Sequence, residues 1–260
     1  MKLTIIIIHY GKVARTEECL VKLAKKIDQH QLILINNTQD DIKALTKIIP
    51  GTELIDNRAN TGFAKAANQG ITLGLANKSV THVMLMNNDL EIAIGTLDEL
   101  LTTFVRDKSA GIVTPILHHQ GGYDWGGVYS PISGMVKHAN WDNKPKTILS
   151  VQHVAGAAML ISREVVDKIG MLDERFFLYY EDLDFCLRAQ RAGYTIRINP
   201  SVVAEHTTSA GSSLVRRTLH QWRSHLLFVA KHMPRTALPT AILWDLLVYP
   251  LMTLKALATQ

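Results

Sequence analysis

The first half of the chain alternates short apolar runs with stretches of helical periodicity. Residues 3–8 are Leu, Thr and four consecutive Ile, the signature of a strand buried on both faces. Downstream, Leu20, Leu23, Ala24 and Ile27 recur on one face of a predicted helix. The couplet then repeats: strand 31–35 before helix 40–49, strand 53–55 before a helix beginning near Phe63, strand 80–86 before helix 95–105, and a strand over 111–115. This alternation predicts an α/β fold with a Rossmann-like, mostly parallel sheet flanked by helices. In such sheets ligands sit at the carboxyl ends of the strands. Polar residues collect there: His9-Tyr10, Asn36-Asn37, Asp56-Asn57 and Asn87-Asn88-Asp89.

At residue 121 the pattern changes to Gly, Trp, Tyr and Pro with short apolar pieces, through residue 150. Hairpins fit this composition better than another βα unit, and the segment, with Trp125, reads as an insertion. A strand over 154–161, helices over 162–169 and 180–192, and two short strands over 195–198 and 202–205 follow. The next helix carries Val215, Leu219, Trp222, Leu226 and Val229 as an apolar stripe. The tail 237–257 is apolar but broken by Pro239, Asp245, Pro250 and Lys255, short of the roughly 20 uninterrupted residues of a spanning helix.

Length sets the number of cores: 260 residues suffice for one large α/β core without a metal or disulfide. Hydrophobic residues at 47% and charged residues at 20% exclude disorder. Cys19 and Cys186 lie far apart in predicted helices, so neither a disulfide framework nor a zinc site is expected, and a reducing cytosol fits. The formal charge of +5 would suggest nucleic acid, but Arg216, Arg217, Arg223, Lys231 and Arg235 equal that excess in a stretch without a single acid. Interleaved with apolar positions and followed by Trp244, Tyr249 and many Leu, this basic stretch suits an anionic membrane surface, and no nucleic acid is expected.

Absent motifs narrow the chemistry. There is no GxGxxG after the first strand, no GxxxxGK[ST], no GxSxG and no HExxH, which removes dinucleotide, P-loop, α/β-hydrolase and zincin readings. Asn87-Asn88-Asp89 offers one carboxylate and two amides after a buried strand: hard ligands for Mg2+ or Mn2+ carried in with a diphosphate, or a plain strand-end turn. Asn60-Thr61-Gly62-Phe63, with Asn68 beyond, places free amides where an anion can bind, or simply caps a helix. In the predicted helix 180–192, Asp182 falls on the apolar arc of Leu183, Phe185, Cys186, Leu187 and Ala189, while Glu181 and Asp184 face away and read as surface or helix-terminal residues. Partial desolvation of an inward carboxylate raises its basicity toward proton abstraction. His206, ending the last short strand, is either structural or a metal ligand beside Asp89.

In order and spacing, these pieces resemble glycosyltransferase family 2, and within it the bacterial rhamnosyltransferase-like branch. The likeness spans roughly residues 2–215 and runs through Asn36-Asn37, Asn60 to Ile71, Asn87-Asn88-Asp89, Gly156 to Ile161, Gly170 to Asp184, Pro200 to His206 and Ser209 to Ser212. The resemblance implies a GT-A catalytic domain over 1–212, with a nucleotide-sugar half (1–115) and an acceptor and catalytic half (116–212), and a basic amphipathic helical region over 213–260. It implies a nucleoside-diphosphate sugar on His9, Tyr10, Asn36, Asn37, Asn60, Gly62, Phe63, Asn68, Asn87 and Asn88, and Mg2+ or Mn2+ on Asp89 and His206. Asp182 is then the general base, with Glu181, Trp125 and Tyr180 toward the acceptor. Such enzymes usually carry Asp where this chain has Asn36, which leaves uridine and thymidine donors open. The expected reaction is inverting transfer, favouring dTDP-rhamnose over UDP-galactose, UDP-glucose or a UDP-N-acetylhexosamine. The acceptor would be a hydroxyl of a glycan or polyprenyl-linked molecule in cell-surface polysaccharide synthesis, at the inner face of the cytoplasmic membrane. A sugar nucleotidyltransferase would need a Gly-rich basic loop that His9-Tyr10-Gly11-Lys12 does not provide, and a non-catalytic nucleic-acid-binding module is the reading of a different class.

Overall fold

The computed structural model describes residues 1–27, 30–120, 122–141, 146–207 and 214–258. In chain order the elements are β1 (Lys2–His9), α1 (Val13–Ala24), β2 (Gln31–Asn36), β3 (Glu53–Asp56), α2 (Phe63–Ala76), β4 (Val80–Asn87), β5 (Leu90–Ile92), α3 (Thr96–Arg106), β6 (Ala110–His119), β7 (Gly122–Tyr129), β8 (Val136–Trp141), β9 (Leu149–Val151), β10 (Ala158–Ser162), α4 (Arg163–Ile169), α5 (Glu181–Arg191), β11 (Thr195–His206), α6 (Leu214–His232) and α7 (Leu238–Ala258).

The main path of the sheet runs β3-β2-β1-β4-β10-β6-β11-β5. Its first four strands are parallel, the Rossmann-like half that the βα alternation predicts. β10 then enters antiparallel to both β4 and β6, and β7 and β8 form a hairpin on β6, so the sheet as a whole is mixed. Side-chain alternation along β1 divides the core. Leu3, Ile5 and Ile7 pack under α1 and α3, while Ile6 and Ile8 pack under α2, α4 and α5 on the other face, as the period of two requires. α2 lies so close to β1 that a Cβ on Gly70 would fall 2.4 Å from the Ile6 side chain.

Several expected elements differ. Residues 40–49 form only a 3-10 turn at Lys43–Lys47, and the two short strands expected over 195–205 are one strand, β11, with a register shift between Asn199 and Val203 around Pro200. The tail is not broken: α7 is continuous over 21 residues with Pro250 inside it, and the stretch Arg235–Leu254 is long and apolar enough to cross a membrane by length and composition. On α6 the predicted stripe is offset. Val229 is buried as expected, but Leu219 and Leu226 are exposed, and Thr218, Ser224, His225 and Phe228 are buried instead. Polar side chains were recruited inward: Ser224 Oγ donates to Leu178 O at 2.8 Å, and His225 pairs with Asp245 of α7 and meets Ser133 O at 2.8 Å. A hydrophobicity pattern cannot anticipate buried hydrogen bonds. The boundary expected at 212 and the stretch 209–212 lie outside the described residues.

Candidate active site

Side-chain amides tie the end of β2 to the start of α2, and the end of β4 to the end of β1 and to α1. Asn37 Nδ2 donates to Asn60 Oδ1 (3.1 Å) and Gly62 O (3.3 Å), and its Oδ1 accepts from Thr61 N (3.0 Å). Gly62 has φ +88°, and a Cβ there would fall 2.6 Å from Phe177 O, so only glycine fits. Phe63 N donates to that same carbonyl at 2.8 Å, locking the first turn of α2 to the chain that leads into α5. At the end of β4, Asn88 Nδ2 donates to Tyr10 O (3.1 Å) and Thr16 Oγ1 (2.7 Å).

These contacts bound one cavity of about 270 Å³, lined by Tyr10, Asn37, Asn60, Gly62, Phe63, Asn87, Asn88 and Asp89 among the expected donor and metal residues. Three other expected residues stand behind it. His9 is fully buried against Thr16 and Asp40, and burial lowers its pKa despite Asp40. Asn68 ties α2 to Leu172 and Glu174. Asn36 donates to Asp40 O (2.7 Å) and Asp56 Oδ1 (2.8 Å). An aspartate at 36 would face Asp56 carboxylate to carboxylate, so the amide here goes with an acid on the neighbouring strand.

Asp89 Oδ1 is buried, has no hydrogen-bond partner, and lies 3.2 Å from His206 Nε2. Thr207 N donates to Asp89 O at 3.0 Å and holds the two segments together. Among the described residues no group of three or more His, Cys, Asp or Glu could hold a metal. A carboxylate and an imidazole facing each other still fit Mg2+ or Mn2+ when phosphate oxygens and water complete the coordination.

A second cavity adjoins the first, sharing Phe63, Asn87, Leu178 and Tyr179, and holds Tyr180, Glu181 and Asp182 at the start of α5. Tyr179 and Tyr180 both have left-handed backbone (φ 69° and 68°), a conformation that costs about 1–3 kcal/mol per non-glycine residue and concentrates at functional sites. Asp182 Oδ2 accepts from Gly156 N (3.0 Å), and Oδ1 accepts from Leu183 N (2.8 Å) and faces His153 Nε2 at 3.3 Å.

The carboxylates do not divide as the helical wheel predicts. Asp182 keeps 18% exposure, whereas Glu181 is 5% and Asp184 0% exposed. α6 covers the outer face of α5, and an isolated wheel contains no second helix. Asp184 is gripped by Arg188 (2.8 Å), Lys231 (2.6 Å) and His232 (2.7 Å). Burial pushes the Asp182 pKa up, but His153 and the two amides outweigh it, so the net shift is downward and not the expected rise in basicity. The shift up belongs to Glu181: burial first and the neighbouring Asp182 charge second raise its pKa well above the usual carboxylate range, and its Oε2 has no partner.

His153 escaped the sequence reading because a lone histidine before an apolar run carries no pattern. Gly127 N holds its carbonyl at 2.9 Å, and a Cβ on Gly126 would fall 2.2 Å from that oxygen. Trp125 lines neither cavity and packs against the core on the α2 side of the sheet. The first cavity is also lined by Arg216, Arg217 and His220 of α6, a helix expected to serve a membrane surface.

The sequence model of glycosyl transferase family group 2 matches residues 68–259. The chain belongs to this family. A low-salt glycan biosynthesis hexosyltransferase of Haloferax volcanii, Agl10, is 27% identical over 75% of the chain and 63% of its own length, so the chain spans less than two thirds of that relative. The dTDP-rhamnosyl transferase RfbF of Shigella flexneri is 23% identical over 88% of the chain and 80% of its own length. An N-acetylglucosaminyl-diphospho-decaprenol L-rhamnosyltransferase of Mycobacterium tuberculosis is 23% identical over 78% and 75%. Among solved structures, GalNAc-T7 with UDP, GalNAc and Mn2+ superposes with a TM-score of 0.70 at 15% identity, covering 88% of this chain and 48% of that one. The mannosyltransferase PcManGT of Pyrobaculum calidifontis, in complex with GDP-Man and Mn2+, gives 0.60 at 17% identity, covering 99% and 73%. The fold of this family member is thus GT-A.

Proposed function

We propose that the protein is an inverting glycosyltransferase that moves a sugar from a nucleoside diphosphate to an acceptor hydroxyl, with rhamnose from dTDP-rhamnose favoured. The observation that carries this is the pair of adjoining cavities, one walled by the strand-end amides and Asp89, the other holding Asp182 and Glu181. Asp182, kept ionised by His153 and two backbone amides, takes the proton of the acceptor hydroxyl. Its oxygen attacks the anomeric carbon while the bond to the nucleoside diphosphate breaks on the opposite face, so one displacement inverts the centre. Tyr10, Asn37, Asn60, Gly62 and Phe63, which line the first cavity, hold the donor. A divalent cation bound by Asp89 and His206 with the diphosphate would offset the charge on the leaving group. Similarity to RfbF favours dTDP-rhamnose, and similarity to the decaprenol-linked rhamnosyltransferase favours a polyprenyl-linked acceptor. A UDP-sugar is the alternative.

The acceptor reading goes with attachment to the inner face of the cytoplasmic membrane. On α7, Leu243, Leu246, Leu247, Leu251 and Leu254 are exposed, while Asp245 and Tyr249 are buried and face His225 of α6. A helix crossing the bilayer would strip Asp245 from His225, so α7 lies on the surface with its leucines toward lipid. Release of nucleoside diphosphate from dTDP-rhamnose, UDP-galactose, UDP-glucose and UDP-N-acetylglucosamine, with Mn2+, Mg2+ or EDTA, tests the transfer reading. Metal-stimulated release from one donor class is expected; no release and no thermal stabilisation by any donor would contradict it.

A further inference from the structure

The donor-side cavity carries more positive charge than a metal-held diphosphate requires. Arg15 of α1 and Arg216 and Arg217 of α6 line it together with Asp89. Arg216 and Arg217 stand in the first turn of α6, which contains no acidic residue. Cations there oppose the helix dipole, which favours an anion at that end. Arg217 Nε is buried with no hydrogen-bond partner, an unfavourable state for a charged donor unless a ligand meets it. One turn on, His220 lines the same cavity and stacks on Phe177 with ring centroids 4.8 Å apart. α6 is pinned beside the cavity by Ser224 on Leu178 O and by Lys231 and His232 on Asp184.

Resting on the donor-site reading of this cavity, we propose that Arg216 and Arg217 form a metal-independent clamp on the pyrophosphate of the nucleoside diphosphate, which makes α6 a wall of the donor site. A guanidinium fork pairs two-pronged with phosphate oxygens. The two arginines line the same cavity as Asp89. Arg216 is exposed and Arg217 half-buried, and both line the cavity, whereas Arg223 and Arg235 do not line it and remain for the lipid.

Calorimetric binding of dTDP and UDP to the full chain, once with Mn2+ and once with excess EDTA, tests the clamp. The wild type should bind in EDTA. Each of Arg216→Ala and Arg217→Ala should weaken that binding about tenfold, and the double variant about a hundredfold. Asp89→Ala should lose only the increment that Mn2+ adds. The double Arg216→Lys, Arg217→Lys variant, which keeps the charge without the fork, should fall between and guards against misfolding in the alanine variants. Wild-type affinity in EDTA for a folded double alanine variant overturns the clamp, as does a wild type that binds only with Mn2+. Unchanged nucleotide affinity with loss of binding to anionic vesicles assigns the arginines to lipid and also overturns it. If the wild type binds neither nucleotide under either condition, the donor-site reading itself fails and the clamp falls with it.

Discussion

Asp182 and Glu181 are adjacent carboxylates in opposite states, and their chemistry follows from what touches each. Asp182 has three donors around it, whereas Glu181 Oε2 has none. Asp182→Asn preserves shape and removes basicity, so turnover should fall by roughly 10²–10⁴ while nucleotide affinity stays near wild type. Glu181→Gln copies the neutral form that burial favours. Because the folded pKa of Glu181 is raised, its ionisation opposes folding as pH climbs from the usual carboxylate range toward that higher value. Glu181→Gln should therefore melt higher than wild type at neutral pH and flatten any alkaline loss of activity. Lower stability of the variant at neutral pH, measured by calorimetry, would count against a buried neutral Glu181.

At the scale of elements, α5 is set in place by α6 through Asp184. Burial raises the pKa of this carboxylate, but His232, Lys231 and Arg188 outweigh it and bring it below the usual range. The sign follows: the contribution to stability is full above the unfolded carboxylate pKa, near 4, and is lost as pH falls through the lower folded value. Asp184→Asn takes a counter-charge from the part-buried Arg188 and Lys231, although Lys231 keeps Asp173, and should destabilise the fold at neutral pH, with wild type and variant converging in acid; denaturant titrations at both pH values check this. The sequence pattern contained the strands and helices of the first half because period-two and period-3.6 alternation encode single elements. It also placed the polar strand ends, of which Tyr10, Asn37 and Asn87 to Asp89 line a cavity while Asp56 and Asn57 do not. It did not contain the covering of α5 by α6, since burial of Asp184 depends on Lys231 and His232, the latter 48 residues later in the chain. Nor could it contain His153, whose place beside Asp182 is made by the β7 glycines.

Considered whole, the molecule is a GT-A domain whose C-terminal helices face two ways. α6 turns arginines to the donor-side cavity, and α7 turns leucines outward while Asp245 and Tyr249 face inward. Peripheral membrane attachment predicts flotation with anionic liposomes that weakens with salt. Replacing exposed Leu243, Leu247 and Leu254 with Glu should abolish flotation without lowering the melting temperature; flotation that survives these changes would argue against α7 as the lipid-facing element. The central claim, transfer by one displacement from a nucleotide donor, is tested most directly by the anomeric configuration of the product. With dTDP-β-L-rhamnose, Mn2+ and a polyprenyl-diphosphate-linked N-acetylhexosamine acceptor, one-bond carbon–hydrogen coupling at the anomeric carbon of the product should report an α-linked rhamnose. A β-linked product would contradict the mechanism.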